Sequence, residues 1–301
     1  MAKVGKFKVW FMETRPQFLV LSVALVLLGT AISWNEGHFD WVRFILTTIG
    51  LILAHAAVNI LNDYFDYKSG IDLETNQTPF SGGSKIIPNG LLSPRSAYVF
   101  GLACLAVALP IGVYLASVSG WQLLPLIIVG GVIIYFYTSY LTKWLVGEFW
   151  AGLGLGTLPV IGTYFVQTGS YGLGAFVAAL APGFLTANLL FLNEFPDVEA
   201  DRRGGRFHLV IALGTRRAGL LYAGLMAMTY LCIVVGAVLQ LMPVMSLIAL
   251  ASIPFAVKAI RITFKSHGNP QEMVPALGAN VITVLATDVL LAVAYFMDSF
   301  F

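Results

Sequence analysis

Long apolar runs, interrupted by short polar connections, set the strongest constraint on what this chain can fold into. Nine stretches approach the roughly 20 residues that a helix needs to cross a bilayer core: 17–35, 43–62, 96–118, 121–140, 145–167, 172–193, 217–240, 243–263 and 274–298. Breaks at Ser119–Gly120, Thr168–Tyr171 and Met242–Pro243 read as tight turns between helices. Only two connections, at about 63–95 and 194–216, are long and polar. Hydrophobic residues make up 58% of the chain and charged residues 11%, with a mean hydropathy of +0.84; soluble domains are far more charged. The expected fold is therefore an all-α membrane protein with nine transmembrane helices. A formal net charge of +2 gives no basis for a nucleic-acid partner. Cys104 and Cys232 sit in separate apolar runs without metal or disulfide spacing and read as small buried hydrophobes. No small-residue cleavage site follows the N-terminal lysines, so no cleavable signal peptide is expected.

The basic residues assign an orientation. If nine helices alternate in direction, the N-terminal stretch and the connections after helices 2, 4, 6 and 8 share one side. Of 17 Lys and Arg, all but Arg43 fall there, from Lys3, Lys6, Lys8 and Arg15 to Lys258, Arg261 and Lys265. The positive-inside rule then places the N-terminus in the cytoplasm and the C-terminus outside.

Both long connections lie on that basic side, and both open with acids. The first holds Asn62, Asp63, Asp66, Asp72 and Glu74; the second holds Asn193, Glu194, Asp197, Glu199 and Asp201. Eight of the 15 Asp and Glu residues are gathered in these two places. Asn62 and Asp66 are four apart and share a face if the helix continues. Asp72 follows a helix break expected at Ser69–Gly70. Asn193, Asp197 and Asp201 keep a strict four-residue spacing, expected to stack three oxygens on one helical face. Hard oxygen donors without interposed Cys or His suit magnesium, which combines a few carboxylates with phosphate oxygens and water. Two facing carboxylate sets repel each other unless cations stand between them, and divalent ions bridged by a diphosphate would satisfy both. Ser81, Gly82, Gly83 and Ser84, beside Lys85, form a small-residue turn able to offer backbone N–H groups to an anion. Lys68, Arg202, Arg203 and Lys143, the last following Tyr137 and Tyr140, are further candidate anion contacts.

These residues carry a resemblance. Asn62-Asp-Tyr-Phe-Asp66-Tyr-Lys-Ser-Gly-Ile-Asp72 resembles the first aspartate-rich motif of the UbiA superfamily of intramembrane prenyltransferases, and Asn193-Glu-Phe-Pro-Asp197-Val-Glu-Ala-Asp201 resembles the second. Arg15–Pro16, the helix count and the Tyr137/Lys143 region extend the likeness along the chain. The resemblance implies a helical bundle around a central cavity, with residues 1–301 forming one polytopic domain and the two polar connections capping the active site on the cytoplasmic side of the cell membrane. It implies magnesium-dependent prenyl transfer from an isoprenyl diphosphate to a lipophilic acceptor. By motif position, Asn62, Asp66 and Asp72 would hold one ion and Asn193, Asp197 and Asp201 the other, while Lys143, Tyr137 and Lys68 would contact the diphosphate. The six-residue step from Asp66 to Asp72 is similar to the menaquinone branch, whose members prenylate 1,4-dihydroxy-2-naphthoate. A geranylgeranylglyceryl phosphate of archaeal type and 4-hydroxybenzoate are alternative acceptors.

The allylic cation formed as diphosphate departs needs a dry cavity, and Tyr64, Tyr135, Tyr137 and Tyr164 are candidates to face it. Gly152, Gly154 and Gly156 allow a close helix approach. Asp288 falls in mid-helix, where a charge is costly and a partner is expected. Glu148 caps a helix or orients the acceptor. The rival class, a cation-coupled transporter, places its ion sites near the bilayer midplane on broken helices, whereas both acidic segments lie at one interface.

Overall fold

In the computed structural model, which describes residues 5–266 and 269–301, the regular structure is helical. Lys3, counted above on the basic side, lies outside the described residues. A short helix α1 (Lys6–Glu13) precedes α2 (Pro16–Asn35), α3 (Trp41–Ser69), the single turn α4 (Ile71–Glu74), α5 (Pro94–Ser119) and α6 (Trp121–Phe136). The second half comprises α7 (Gly147–Thr168), α8 (Leu173–Asn193), the short helices α9 (Val198–Arg203) and α10 (Leu209–Leu213), then α11 (Thr215–Val238), α12 (Val244–Ser266) and α13 (Pro270–Asp298). Eight of these are long and apolar enough to cross a membrane. The ninth expected stretch, 121–140, forms the shorter apolar helix α6. It ends at Phe136, where Thr138 turns to accept a hydrogen bond from Asn62 Nδ2 at 3.1 Å.

Several ends follow from local chemistry. Asp40 caps α3 by accepting from the Arg43 N–H at 2.8 Å, and Ser93 caps α5 ahead of Pro94. Gly70, with φ +84, stops α3 in the left-handed conformation that a side chain resists. The lone basic residue of the far side, Arg43, donates to the Val118 carbonyl of α5 and the Val166 carbonyl of α7 at 3.0 and 3.1 Å, close to the ends of both helices. That use accounts for the one exception to the charge bias.

The largest core joins α2, α7, α8, α11, α12 and α13 through buried residues such as Leu25, Leu185, Phe191, Tyr222 and Leu291. A second cluster joins α3 to α5. In lipid, small residues and polar ties, more than apolar burial, hold helices together. A Cβ on Gly152 would lie 2.5 Å from the Gly183 carbonyl oxygen, and one on Gly156 would lie 2.5 Å from that of Pro182, so α7 and α8 touch backbone to backbone. Midway, α7 passes through a π turn at Leu153–Thr157. Asn280 links three helices: it accepts from the Tyr222 hydroxyl at 3.0 Å and donates to the Asn188 carbonyl at 3.1 Å. Asp288 is fully buried with neither carboxyl oxygen hydrogen-bonded, so the partner expected for it is missing among the described residues.

Candidate active site

At one end of the bundle, three connections converge over a cavity of about 260 Å³. They are 70–93, 137–146 and 194–214. Backbone hydrogen bonds tie the last two together, from Leu145 N to the Phe207 carbonyl at 3.0 Å and from Phe207 N to the Thr142 carbonyl at 3.4 Å.

The first acid set is arranged as its spacing predicts. Because α3 runs on to Ser69, Asn62 and Asp66 share one face in its last two turns, and Gly70 turns the chain so that Asp72 returns to the same cavity. The second set departs from expectation. Asn193 ends α8, Asp197 precedes α9 after a turn, and only Asp201 lies within α9. Pro196 is the reason: it lacks an N–H, and its ring would collide with the preceding turn of a continued helix. The three side chains nevertheless line the same cavity as Asn62, Asp66 and Asp72.

A guanidinium stands between the two sets. Arg206 donates through Nη2 to Asp66 Oδ1 and through Nη1 to Asp201 Oδ1, the latter at 2.9 Å. A glycine puts it there: Gly205 adopts φ +81, and the Arg206 N–H returns to the Asp201 carbonyl at 2.9 Å. Burial works against the Arg206 charge, but Asp66 and Asp201 outweigh it and push its pKa up. Burial alone would raise Asp201; Arg206 and His208 hold it below the usual carboxylate range. Asp197 and Asp72 lack such a partner. Burial, with Asp201 alongside, raises Asp197 to about 7, and burial with Asp66 nearby raises Asp72 to about 6. Asp72 Oδ2 and Asn193 Oδ1 are buried without any hydrogen-bond partner.

The turn 81–85 docks against both sets. Ser81, Gly82 and Gly83 line the cavity together with Asp197. A Cβ on Gly83, whose φ is +75, would lie 2.4 Å from Asp72 Oδ1, so the backbone approaches that carboxylate as only glycine allows. Lys85 donates to the Asp72 carbonyl and to Thr75 Oγ1 at 2.6 Å. Ser84 donates through its hydroxyl to Glu13 at 3.0 Å and through its N–H to Asp63 at 3.3 Å. Asp63, absent from the metal pattern, is instead ion-paired to Arg15. Arg15 precedes Pro16 in a left-handed conformation, so this pair fixes the entry to α2.

Other expected contacts lie elsewhere. Tyr137 is buried and lines the cavity with its hydroxyl unpartnered. Lys143, Lys68, Arg202 and Tyr140 are exposed and outside the lining: Lys68 sits over the Tyr64 ring at 5.4 Å, Arg202 pairs with Glu199 at 3.6 Å, and Tyr140 packs on Phe136. Tyr135 bonds Tyr98 at 3.1 Å away from the cavity, and Tyr164 bonds Glu36 at the far end. Among aromatics, Trp150, Phe18 and Phe80 join Tyr137 in the wall. Beyond the polar mouth the cavity is apolar, with Leu21, Leu51, Ile133, Leu155, Leu189 and Val284 among its lining.

A family profile described as the UbiA prenyltransferase family matches residues 22–280. The 1,4-dihydroxy-2-naphthoate octaprenyltransferase of Bacillus subtilis (strain 168) is 27% identical over 290 residues, covering 95% of this chain and 92% of that protein. The enzyme of the same name from Escherichia coli (strain K12) is also 27% identical, covering 98% and 97%. Among solved structures, a UbiA homolog from Archaeoglobus fulgidus bound to GPP and Mg2+ aligns with a TM-score of 0.68 at 16% identity, covering 96% of this chain and 99% of that one. The apo structure of a UbiA homolog from Aeropyrum pernix K1 aligns at 0.73, also at 16% identity, covering 94% and 98%.

Proposed function

The chain belongs to the UbiA prenyltransferase family, and we propose that it transfers a prenyl group from an isoprenyl diphosphate to 1,4-dihydroxy-2-naphthoate, releasing diphosphate. It is a multi-pass membrane enzyme of the prenyltransferase class. The full-length likeness to the naphthoate enzymes of Bacillus subtilis and Escherichia coli supports the acceptor. The observation that carries the reading is the convergence of both acid sets on one cavity whose deeper wall is apolar.

The oxygen donors fit magnesium. Asn62, Asp66 and Asp72 would hold one ion and Asn193, Asp197 and Asp201 a second, and the unpartnered Asp72 Oδ2 and Asn193 Oδ1 are buried polar atoms in need of a ligand. Magnesium held there supplies Lewis-acid stabilisation for charge growing on the departing diphosphate. The protein's own groups do the rest. Arg206 and the Gly82–Gly83 backbone offer donors at the cavity mouth. Tyr137 and Trp150 present ring faces to the developing allylic cation, each worth about 0.5–2 kcal/mol. The leucine-rich wall receives the isoprenoid tail and keeps water from the cation. Lys143, exposed beyond the lining, would reach a diphosphate only if its connection moved inward, and Lys68 points away from the cavity on α3.

The topology belongs to the same reading. Counting α6 gives nine spans in one domain, and the charge bias puts the cavity mouth on the cytoplasmic face of the cell membrane, beneath a cap made by the polar connections. The decisive assay supplies detergent-purified protein with magnesium, labelled prenyl diphosphate and, in turn, 1,4-dihydroxy-2-naphthoate, 4-hydroxybenzoate and geranylgeranylglyceryl phosphate. A prenylated naphthoate formed with magnesium and abolished by EDTA is expected. Turnover of another acceptor alone would overturn the naphthoate assignment, and no diphosphate release with any acceptor would overturn the reaction.

A further inference from the structure

Beside the cavity mouth, Glu148, Glu194 and His208 form a cluster that the reaction above leaves unused. Glu148 opens α7, Glu194 follows α8 and His208 precedes α10, so three separate segments deliver them to one point. Their exposures are 2%, 8% and 1%. Each offers a ligand atom, and the three atoms lie within 4.8 Å of one another. Glu194 Oε2 and His208 Nδ1 are 3.4 Å apart. Those two atoms and Glu148 Oε2 are all buried without a hydrogen-bond partner.

What surrounds the cluster orients it inward. Glu148 accepts from the Leu209 N–H through Oε1 at 2.9 Å, which leaves Oε2 turned to the cluster. His208 Nε2 lies 3.2 Å from Asp201 Oδ2. A carboxylate can only accept, so Nε2 carries the proton and Nδ1 presents its lone pair. A histidine fixed by a carboxylate behind it is the usual arrangement at a metal ligand. No Lys or Arg pairs with Glu148 or Glu194 among the described residues, since Arg206 is engaged by Asp66 and Asp201. Three ligands at about 2.0–2.2 Å from one ion stand about 3.3–3.6 Å apart in tetrahedral geometry, so the group closes on an ion with shifts of about an ångström or less.

We propose that Glu148, Glu194 and His208 bind a third divalent cation, of the zinc or manganese class, distinct from the diphosphate-bearing carboxylates. The imidazole nitrogen sets its preference apart from that of the all-oxygen sets, which favour magnesium. Through His208 the ion sits one hydrogen bond from Asp201, and it fixes the orientation of that carboxylate.

The test uses the full chain in detergent with neither substrate, so its outcome is separate from that of the prenyl-transfer assay. Micromolar Mn2+ is added in millimolar Mg2+, free metal is removed, and bound manganese is measured by mass spectrometry and by electron spin resonance. One Mn2+ per chain with nitrogen hyperfine coupling is expected. In Glu148→Gln and His208→Gln, retained manganese should fall about tenfold or more, with the nitrogen coupling lost in the latter; Asp72→Asn should retain it. Absence of retained manganese in the native protein, absence of nitrogen coupling in it, or retention that depends on Asp72 and not on His208 would each overturn the proposal. The coupling in the native protein decides the matter even if a variant fails to fold.

Discussion

Replacing Arg206 with Met tests the electrostatic account most directly. The substitution keeps an unbranched chain of similar reach but leaves Asp66 and Asp201 facing each other without the guanidinium between them. Removing one partner of a buried ion pair costs about 3–5 kcal/mol. The Arg206 side chain is 16% exposed, so some water reaches the gap, and the lower end, about 3 kcal/mol, is the expected loss. For a chain of this size that amounts to roughly 5 °C in Tm. Magnesium should rescue the variant more than the native protein, because the ion supplies the missing positive charge and no longer competes with Arg206. A ligand at a hundred times its Kd contributes about 2.7 kcal/mol, enough to restore most of the loss. The assay is thermal unfolding in detergent across a magnesium titration, together with the Asp66→Asn single and double variants. Coupling between positions 66 and 206 of about 0.5–3 kcal/mol is expected for contacting charges. An unchanged Tm, or equal magnesium stabilisation of variant and native protein, would refute the reasoning.

Asp66→Ala and Asp197→Ala should each lower kcat by about a hundredfold or more while eluting as native protein does on gel filtration; activity within tenfold of native in either would remove that residue from the metal assignment. Asp72 and Asp197 have folded-state pKa values of about 6 and about 7, above their ordinary 3.8. The folded state therefore retains protons that the unfolded state releases, so their contribution to stability is complete below about pH 4 and is lost as pH rises through 6 to 7. Without magnesium, Tm should fall between pH 5 and pH 8, and magnesium affinity should rise over the same window, because the metal needs ionised oxygens; a flat or rising Tm would contradict both. Gly83→Ala places a methyl against Asp72 and demands a left-handed φ, which costs about 1–2 kcal/mol for a side chain. It should weaken magnesium and prenyl diphosphate binding with little change in helix content by circular dichroism, and native affinity in this variant would show the turn to be incidental.

What the sequence made legible follows the reach of local rules. Apolar length locates the long helices because lipid permits little else, and the Asn62/Asp66 face is readable because α3 continues unbroken through both. The second set misleads for a local reason also in view, since Pro196 forbids the helix that a four-residue spacing invites. The basic residues follow another local rule. A helix turns about 100° per residue, so Lys68, two positions after Asp66 on α3, faces the opposite side. Arg202 likewise stands a quarter turn from Asp201, in solvent. Neighbourhood in sequence is separation in space on a helix, so charges adjacent along the chain need not share one wall. Arg206 lies beyond α9 and returns because Gly205, in the left-handed conformation, reverses the backbone. The glycine carried that signal. Its destination did not, because it depends on how α3 and α9 pack.

The cations around the cavity explain why the two acid sets can face each other and still need an added ion. Arg15 holds Asp63 and so fixes the start of α2. Arg206 holds Asp66 and Asp201 and so fixes the spacing between the sets. Lys85 is bonded to a main-chain carbonyl and to Thr75. Each basic group is thus committed to geometry. The acids left over, Asp72 and Asp197, are both pushed toward neutrality by burial. With their protons on, the cavity can stay folded while empty. With their protons off, they become charged oxygen donors for a divalent cation, and the charge that a diphosphate brings is then balanced by the ion. Asp63 and Asp66, three residues apart on one helix, are both held by arginines, but only Asp66 lines the cavity, where an incoming ion can compete with Arg206 for it.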